Sequence, residues 1–321
     1  MTTSALDLSR QTRIGILCAI GASVAFSVND TAIKFLSGDY ALHQVVMIRS
    51  LVGMAFLLAF VLPFHGGPRA LRTRHLARHL ARGGFVVFSN LCYFLGLAAL
   101  PLADTVAIFF VAPLMITALS VPILGEKVGP RRWAAVAVGL MGVVVMLRPG
   151  GAFQWAVVLP VVSALAYALM HMMTRLMKGT ESAVAMTFYV QLCFILASGA
   201  MGLAFGHGGL AGSADPSLAF LFRAWVWPAT ADWPVFLATG IGSAIGGLLI
   251  AQAYRLCEAG LAAPFEYAAI PLSIGWGLLV FGEWPDGTAW AGITLICGAG
   301  LYVFWRETRA ASPLAKRAPP R

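Results

Sequence analysis

The sequence predicts an all-α polytopic membrane protein, with ten transmembrane helices arranged as two five-helix inverted repeats. Composition, the lengths of the apolar runs and a weak internal repeat lead to this prediction. Of 321 residues, 60% are hydrophobic and 11% are charged, whereas a soluble domain has about 25% charged residues. So few polar side chains cannot cover a soluble fold of this length, and we therefore expect lipid as the surrounding medium.

Ten apolar stretches are long enough to cross the hydrocarbon, which takes about 20 helical residues. They run over 14–36, 42–62, 83–100, 103–124, 132–148, 154–174, 183–206, 234–256, 261–281 and 288–305. Pro113 and Pro271 interrupt the fourth and the ninth stretch, and each is expected to kink its helix or act as a hinge. The polar residues 1–13 lack a small-residue cleavage site, so the first stretch is expected to be a retained helix and not a secretory signal.

The distribution of lysine and arginine predicts the orientation of the chain. With the N-terminus inside, 18 of the 22 basic residues fall in inner segments and three in outer segments, while Arg49 lies within a span. This positive-inside asymmetry predicts cytoplasmic termini in a bacterial inner membrane. The basic run 69–82 is interpreted as a topology anchor at anionic lipid and not as a nucleic-acid site.

The chain repeats itself across its two halves. Leu124-Gly-Glu126 is matched by Phe281-Gly-Glu283, and each glutamate precedes a Trp-Ala pair by seven residues. Five spans per half is an odd number, so the second half enters the membrane from the opposite side, as in many secondary transporters. The predicted units are a cytoplasmic segment 1–13, a first repeat 14–148, a second repeat 154–306 and a disordered cytoplasmic tail 307–321. The longest connection, 207–232, is expected to be an outer loop with an interfacial aromatic segment containing Phe220, Phe222, Trp225 and Trp227.

Ordered motifs in both halves make the chain resemble the EamA family of the drug/metabolite transporter superfamily. The first half contains Asn29-Asp30 with Lys34 and Arg49, then Tyr93-Phe-Leu-Gly-Leu, Leu100-Pro-Leu-Ala-Asp104, Ala112-Pro113, Leu124-Gly-Glu-Lys127 and Arg132-Trp-Ala. The second half contains Pro264-Phe-Glu-Tyr267, Phe281-Gly-Glu-Trp-Pro285 and Gly300-Leu-Tyr302. The resemblance covers residues 14–306.

This resemblance implies ten helices, a central cavity between the repeats and the transport of small metabolites by alternating access. The pattern is nearest to branches for riboflavin uptake and S-adenosylmethionine uptake. Exporters of amino acids or drug-like metabolites share much of it, so export remains the alternative. Membrane lipid and a small-molecule substrate are the expected partners, with no cofactor; the oligomeric state stays open.

Ionisable residues within spans are candidates for substrate binding or proton coupling, because each costs at least about 2.5–3.5 kcal/mol to insert. Asp30 and Lys34 lie one helical turn apart, so they form either a structural ion pair or a substrate or proton site. His171 occupies the position that corresponds to Asp30 in the second repeat, as a proton carrier or as a packed, hydrogen-bonded histidine.

Arg49 and Gln191 occupy corresponding positions in the two repeats. The planar fork of Arg49 suits a substrate carboxylate or phosphate, but Arg49 equally suits a counter-ion for Asp30 or Asp104. Glu266 is a candidate for binding or proton coupling, against the alternative that it stabilises a helix start through the dipole.

Four neutral polar residues complete the list of candidates. Tyr93, Tyr167 and Tyr267 offer flat faces and hydroxyl groups to an aromatic or cationic solute, or else pack at helix interfaces. Asn90 lies in the same span as Tyr93 and joins them as a candidate. None of these residues predicts catalysis.

Other classes of function lack a supporting pattern. Glu126 and Glu283 follow glycines at helix ends and are interpreted as caps and loop anchors. His75 and His79 stand among arginines with no acid nearby in the sequence, and local positive charge opposes a bound metal cation. A membrane-embedded enzyme needs a dense cluster of acids, histidines or a metal, whereas the acids here are dispersed, and a pure scaffold needs no buried charge.

Overall fold

The computed structural model describes residues 5–125, 129–147, 154–177, 181–256 and 265–310, and these residues form helices joined by turns and irregular connections, with no strand. Eight helices in this part are long and apolar enough to cross a membrane, and Ala269–Phe281 and Gly287–Val303 are shorter apolar helices. Within the described residues, each of the ten predicted stretches thus coincides with apolar helix. In chain order the helices are α1 (Ala5–Leu36), α2 (Leu42–Phe56), α3 (Leu76–Ala99), α4 (Leu102–Phe109), α5 (Ala112–Leu124), α6 (Pro130–Leu147), α7 (Val158–Leu176), α8 (Ala183–Phe205), α9 (Pro216–Phe222), α10 (Trp233–Leu256), α11 (Ala269–Trp276) and α12 (Gly287–Ala310).

The fourth predicted span is broken just before its proline. Helix α4 ends at Phe109, and Pro113 stands in the first turn of α5, where a missing N–H leaves no hydrogen bond unmade. Pro271 similarly lies in the first turn of α11. The structure therefore has a break before each proline where the sequence predicts a kink.

The shared Leu-Gly-Glu and Phe-Gly-Glu motifs terminate helices through their glycines. Gly125 ends α5 with a φ of 69°, and Gly282 ends the π-helical turn Gly277–Phe281 that follows α11 with a φ of 67°. This left-handed conformation favours glycine because it has no Cβ. The repeated motif thus ends a helical segment with a left-handed glycine in both halves.

Helices of the first half pack mainly against helices of the second. The most extensive contacts are α1 with α10, α6 with α12, α3 with α7, and α2 with both α8 and α10. Exchanging the halves converts the α1–α10 contact into the α3–α7 contact, which is the pairing expected of a repeat. The bounds 14–148 and 154–306 stay predictions.

Glycines allow α10 to approach α1 and α2 closely. A Cβ added at Gly246 would lie 2.7 Å from Phe26 of α1, and one at Gly242 would lie 3.2 Å from the Ala25 carbonyl oxygen. These two glycines therefore form a close-packing face against α1. Gly240 is tighter still against α2, with 2.5 Å to the Val52 Cβ.

The long outer connection is folded onto the start of α2. Arg223 donates to the carbonyl oxygens of Ser37 (2.8 Å) and Tyr40 (3.1 Å). Gln44 hydrogen-bonds both the N–H and the carbonyl of Val226. The Tyr40 hydroxyl donates to Asp232 at 2.5 Å and accepts from the backbone N–H of Ala229, and the bond to Asp232 raises the pKa of Tyr40.

The prediction of an interfacial aromatic segment is wrong for Phe220, one of its four aromatic residues. Phe220 is buried in α9, whose Ser217 donates to the Leu95 carbonyl oxygen at 2.7 Å. Trp225 stacks on His43 and hydrogen-bonds its Nδ1. Trp227 is 86% exposed, as an interfacial residue is expected to be. Helix α9 anchors the segment to α3, a contact that local composition does not reveal.

Replacing Tyr40 by phenylalanine is expected to lower the free energy of unfolding by about 1–3 kcal/mol, because Asp232 and the Ala229 N–H both lose a buried partner. Thermal unfolding of the detergent-purified protein measures the change. Tyr302→Phe is the matched control, because this tyrosine is 40% exposed. Equal unfolding temperatures for the two variants would show that the connection is not held by this hydroxyl.

Candidate functional site

Asp30 lies in α1 and is held by two neutral donors. The Tyr93 hydroxyl of α3 donates to Oδ2 at 2.9 Å, and the Asn29 amide donates to Oδ1 at 3.0 Å. Both bonds stabilise a carboxylate in the interior of the bundle. Tyr93, predicted from sequence as a candidate, is thus brought directly onto Asp30.

Lys34 pairs with Glu283 and not with Asp30, which corrects the expected one-turn ion pair. Its Nζ lies 2.8 Å from Glu283 Oε1 and donates to the Leu100 carbonyl oxygen at 2.6 Å. Glu283 Oε2 also accepts from the backbone N–H of Leu102 at 2.9 Å, at the start of α4. Two oxygen acceptors near the end of α1 draw Lys34 outward, while Asp30 already has its own donors. Glu283 acts as the loop anchor and cap that the sequence predicts.

An aromatic row links the two halves. The row consists of Tyr93, Phe109 and Tyr167, with ring centroids 5.1 Å apart for Tyr93 and Phe109 and 5.1 Å for Phe109 and Tyr167. The His171 ring packs beside Tyr167, with 4.4 Å between the two centroids. All three contacts are edge-to-face, the arrangement that aromatic rings prefer. Phe109, which sequence reasoning missed, is the centre of this row at the break between α4 and α5.

Glu266 forms a second carboxyl–tyrosine pair at the other end of the row. The Tyr167 hydroxyl hydrogen-bonds the Glu266 side chain, as Tyr93 does with Asp30. Tyr267 points elsewhere: its hydroxyl donates to the Phe110 carbonyl oxygen at 3.3 Å, and its ring lies 5.1 Å from that of Phe110. The structure thus brings four predicted residues, Asp30, Tyr93, Tyr167 and Glu266, to the two ends of one aromatic row.

Arg49 is 2% exposed and lies between two rings. Its guanidinium carbon is 5.3 Å from the Phe94 centroid and 4.6 Å from the Phe194 centroid. Its Nε and Nη2 atoms have no hydrogen-bond partner among the described residues. Arg49 and Asp30 attract each other electrostatically, but no carboxylate of the described chain forms an ion pair with Arg49.

Gln191 and Asn90 have different surroundings. Gln191 lies in α8 and donates to Ser243 at 3.4 Å, while its Oε1 is buried with no partner among the described atoms. Asn90 donates to the Val86 carbonyl oxygen of its own helix at 3.1 Å. Gln191 therefore retains a free acceptor near Arg49, whereas the Asn90 amide bonds its own backbone.

Arg82 is an interior residue that the sequence did not single out. It was assigned to the basic topology anchor, but α3 begins at Leu76 and places Arg82 almost two turns inside the helix. Its Nε donates to Thr174 at 2.8 Å and its Nη1 to the Met186 carbonyl oxygen at 3.3 Å. The sequence prediction starts the third span at residue 83, and a start at Leu76 would have placed Arg82 inside the helix.

His79 has an acidic neighbour, contrary to the expectation from sequence. Glu181 Oε2 lies 3.2 Å from His79 Nε2, and the Thr73 hydroxyl donates to Glu181 Oε1 at 2.7 Å. Glu181 is distant in sequence and reaches His79 only because α8 packs against α3. Across the described ranges, no three histidine, cysteine or acidic side chains are grouped closely enough to hold a metal ion.

Comparison with known proteins identifies the family. The profile of the EamA-like transporter family matches residues 13–148. A riboflavin transporter of Rhizobium johnstonii is 31% identical over 311 residues, which cover 96% of each chain. The chain belongs to the EamA-like transporter family.

Other relatives of this EamA-family chain differ in what they move. An S-adenosylmethionine uptake transporter of Rickettsia prowazekii is 24% identical, over 93% of this chain and 95% of its own length. The pseudopaline exporter CntI of Pseudomonas aeruginosa is 26% identical, over 91% of this chain and 95% of its own. A solved crystal structure shares the fold, with a TM-score of 0.65 and 19% identity, over 95% of this chain and 99% of that one.

Proposed function

We propose that this protein is a secondary-active transporter that takes up a planar, vitamin-like metabolite across the bacterial inner membrane, with riboflavin as the first candidate. The row Tyr93–Phe109–Tyr167, with a carboxyl group at each end, supports this proposal most directly. Aromatic edges and faces suit a flat ring system, and the carboxyl groups suit its polar edges. The similarity to a riboflavin transporter supports the same substrate.

Transport in this proposal proceeds by alternating access. The two predicted repeats pack on each other through reciprocal helix pairs, and the row lies where they meet. Rocking of one half against the other would expose the row to each side in turn. The breaks before Pro113 and Pro271 are the proposed hinges. The excess of basic residues in inner segments supports the proposal that both termini are cytoplasmic.

S-adenosylmethionine uptake is the second candidate, because two carboxyl groups beside aromatic rings also suit a cationic sulfonium group. The relatives named for this activity support it. Export of a metabolite is the alternative direction, supported by the named exporter among the relatives. Catalysis has no supporting arrangement among the described residues.

The first experiment is mass spectrometry of cells producing the protein against cells with an empty vector, after feeding riboflavin, S-adenosylmethionine and amino acids. Accumulation of riboflavin inside supports the leading proposal, and accumulation of S-adenosylmethionine supports the second. Depletion inside with enrichment outside identifies an exporter. No change for any solute, with membrane insertion confirmed, contradicts both uptake proposals.

Removing the hydroxyl of Tyr93 is expected to reduce riboflavin uptake by about tenfold or more, because Asp30 loses a charge-assisted hydrogen bond worth about 1.5–3 kcal/mol. Uptake of labelled riboflavin by a riboflavin-requiring bacterium measures Tyr93→Phe against Tyr302→Phe, at matched protein levels. Equal uptake by both variants would show that transport does not depend on the hydrogen bond between Tyr93 and Asp30.

Proton coupling is a further part of the proposal, with Asp30, His171 and Glu266 as candidate carriers. If protons drive uptake, then at least one of Asp30→Asn, His171→Gln and Glu266→Gln loses pH-driven accumulation in energised vesicles. Three fully active variants would remove proton coupling from the proposal and leave the substrate proposal intact.

A further inference from the structure

The two nitrogen atoms of Arg49 without a partner lie on one edge of its guanidinium group. Nε and Nη2 each present an N–H in the plane of the group, side by side and parallel. This edge can donate two parallel hydrogen bonds to a carboxylate or to another pair of coplanar acceptor atoms. A buried cationic donor left without a partner costs more than a neutral one, so its persistence at 2% exposure calls for a functional reason.

The surroundings of this edge fix its orientation without satisfying it. Phe94 and Phe194 lie within 5.3 Å and 4.6 Å of the guanidinium carbon, so rings occupy space that polar partners would otherwise fill. Further unpartnered acceptors, Gln191 Oε1 and Asn29 Oδ1, lie on neighbouring helices. A ligand with two adjacent acceptors and a nearby N–H group matches this set of donors and acceptors.

Glycine packing places Gln191 beside α2. A Cβ added at Gly53, one turn after Arg49, would lie 2.6 Å from Gln191 Nε2. Phe194, which contacts Arg49, lies three residues after Gln191 and therefore on the same face of α8. Arg49 and Gln191 thus meet where α2 and α8 pack, and α10 packs against both helices there.

We propose that the Nε–Nη2 edge of Arg49 binds a pair of coplanar acceptor atoms on the transported substrate. This inference rests on the proposed function and specifies the chemistry of its substrate. Two kinds of group carry such a pair: the pyrimidinedione edge of a flavin, where a ring nitrogen and a carbonyl oxygen lie side by side, and the carboxylate of an amino-acid-like substrate.

Substitutions of Arg49 distinguish substrate binding by its planar guanidinium group from a role as a structural counter-ion. Lysine keeps the charge but lacks the planar fork, so Arg49→Lys is expected to reduce uptake by about tenfold or more through two lost charge-assisted bonds. Arg49→Met is expected to lose uptake while its ligand-free unfolding temperature stays equal to or above that of the wild type, since it removes the desolvation cost of two buried N–H groups that have no hydrogen-bond partner. Arg131→Lys, at an exposed position on α6, is the matched control.

Paired probes identify which kind of acceptor is bound. Lumiflavin retains the pyrimidinedione edge and phenazine lacks it, whereas S-adenosylmethionine retains a carboxylate that its decarboxylated form lacks. We expect either lumiflavin or S-adenosylmethionine, the member of each pair that retains the acceptor atoms, to raise the unfolding temperature of the wild type but not of Arg49→Lys. Equal effects on both proteins would overturn the proposal, as would an unfolding temperature of Arg49→Met several degrees below wild type combined with normal uptake by Arg49→Lys.

Failure of the proposed function is distinguishable from failure of this inference. If the wild type moves neither riboflavin nor S-adenosylmethionine, benzoate and cytosine, which has a bare ring nitrogen beside a carbonyl oxygen, serve as small probes of the same two acceptor groups in thermal unfolding. Protection of the wild type but not of Arg49→Lys supports the fork even though the proposed substrates are wrong. Absence of protection by either probe overturns the fork.

Discussion

Replacing Lys34 by methionine is expected to lower the free energy of unfolding by about 1–3 kcal/mol. The substitution removes Nζ from Glu283 Oε1 and from the Leu100 carbonyl oxygen. The Lys34 and Glu283 side chains are only 11% and 29% exposed, so water replaces the lost ammonium poorly. Thermal unfolding of the detergent-purified protein, followed by intrinsic fluorescence, measures the change.

Removing the carboxylate as well is expected to recover part of the loss. In Lys34→Met/Glu283→Gln the unpaired charge is absent, and the glutamine oxygen still accepts from the Leu102 N–H. The double variant should therefore unfold at a higher temperature than Lys34→Met alone, as expected for a coupled pair. Arg131→Met is the control for loss of an exposed cation. Additive effects of the two substitutions would show that the ion pair contributes no coupling energy.

The sequence was sufficient for the helices and their order because the bilayer imposes strong constraints on length and polarity. The apolar runs coincide with the helices, and the repeated glycine motif predicted the helix ends at Gly125 and Gly282. Pro113 and Pro271, for which the sequence predicts kinks, each stand just after a break in the span. These features depend on local composition and backbone conformation, which a single sequence reveals directly.

The partners of the site residues were harder to predict because they depend on how the two halves pack. Lys34 was expected to pair with Asp30 one turn away, but it binds Glu283, 249 positions later. His79 similarly meets Glu181 through the packing of α3 on α8. Local spacing favours the nearest opposite charge, whereas the fold offers nearer acceptors from distant segments.

The sequence singles out residues that the structure brings together, but it does not predict their arrangement. The insertion cost of ionisable groups and the chemistry of tyrosine single out Asp30, Tyr93, Tyr167 and Glu266. No such criterion distinguishes Phe109 from any other apolar residue of its span. Its importance comes from its position between two tyrosine rings. A phenylalanine in an apolar span carries no signal of this kind, because every neighbouring position is also apolar.

A close packing constraint on α2 and α10 lies at Gly240, where alanine is expected to destabilise the protein by about 1–3 kcal/mol or more. An added Cβ would lie 2.5 Å from both Cβ and Cγ1 of Val52, and 2.9 Å from the Arg49 carbonyl oxygen. A β-branched side chain and a backbone atom cannot move aside as a long flexible side chain can. Helices α2 and α10 would have to separate, which also displaces Arg49.

Gly275→Ala and Gly298→Ala are the matched controls, because a Cβ at either helical position meets nothing within 4 Å. These variants are expected to be neutral or to gain up to about 1 kcal/mol from helix propensity. Gly240→Ala should therefore unfold at the lowest temperature of the three and lose substrate uptake at matched protein levels. If Gly240→Ala unfolds at the same temperature as the controls, then α2 and α10 do not pack closely at this point. The environment inferred for the Arg49 guanidinium group depends on that close approach, so this result would also contradict it.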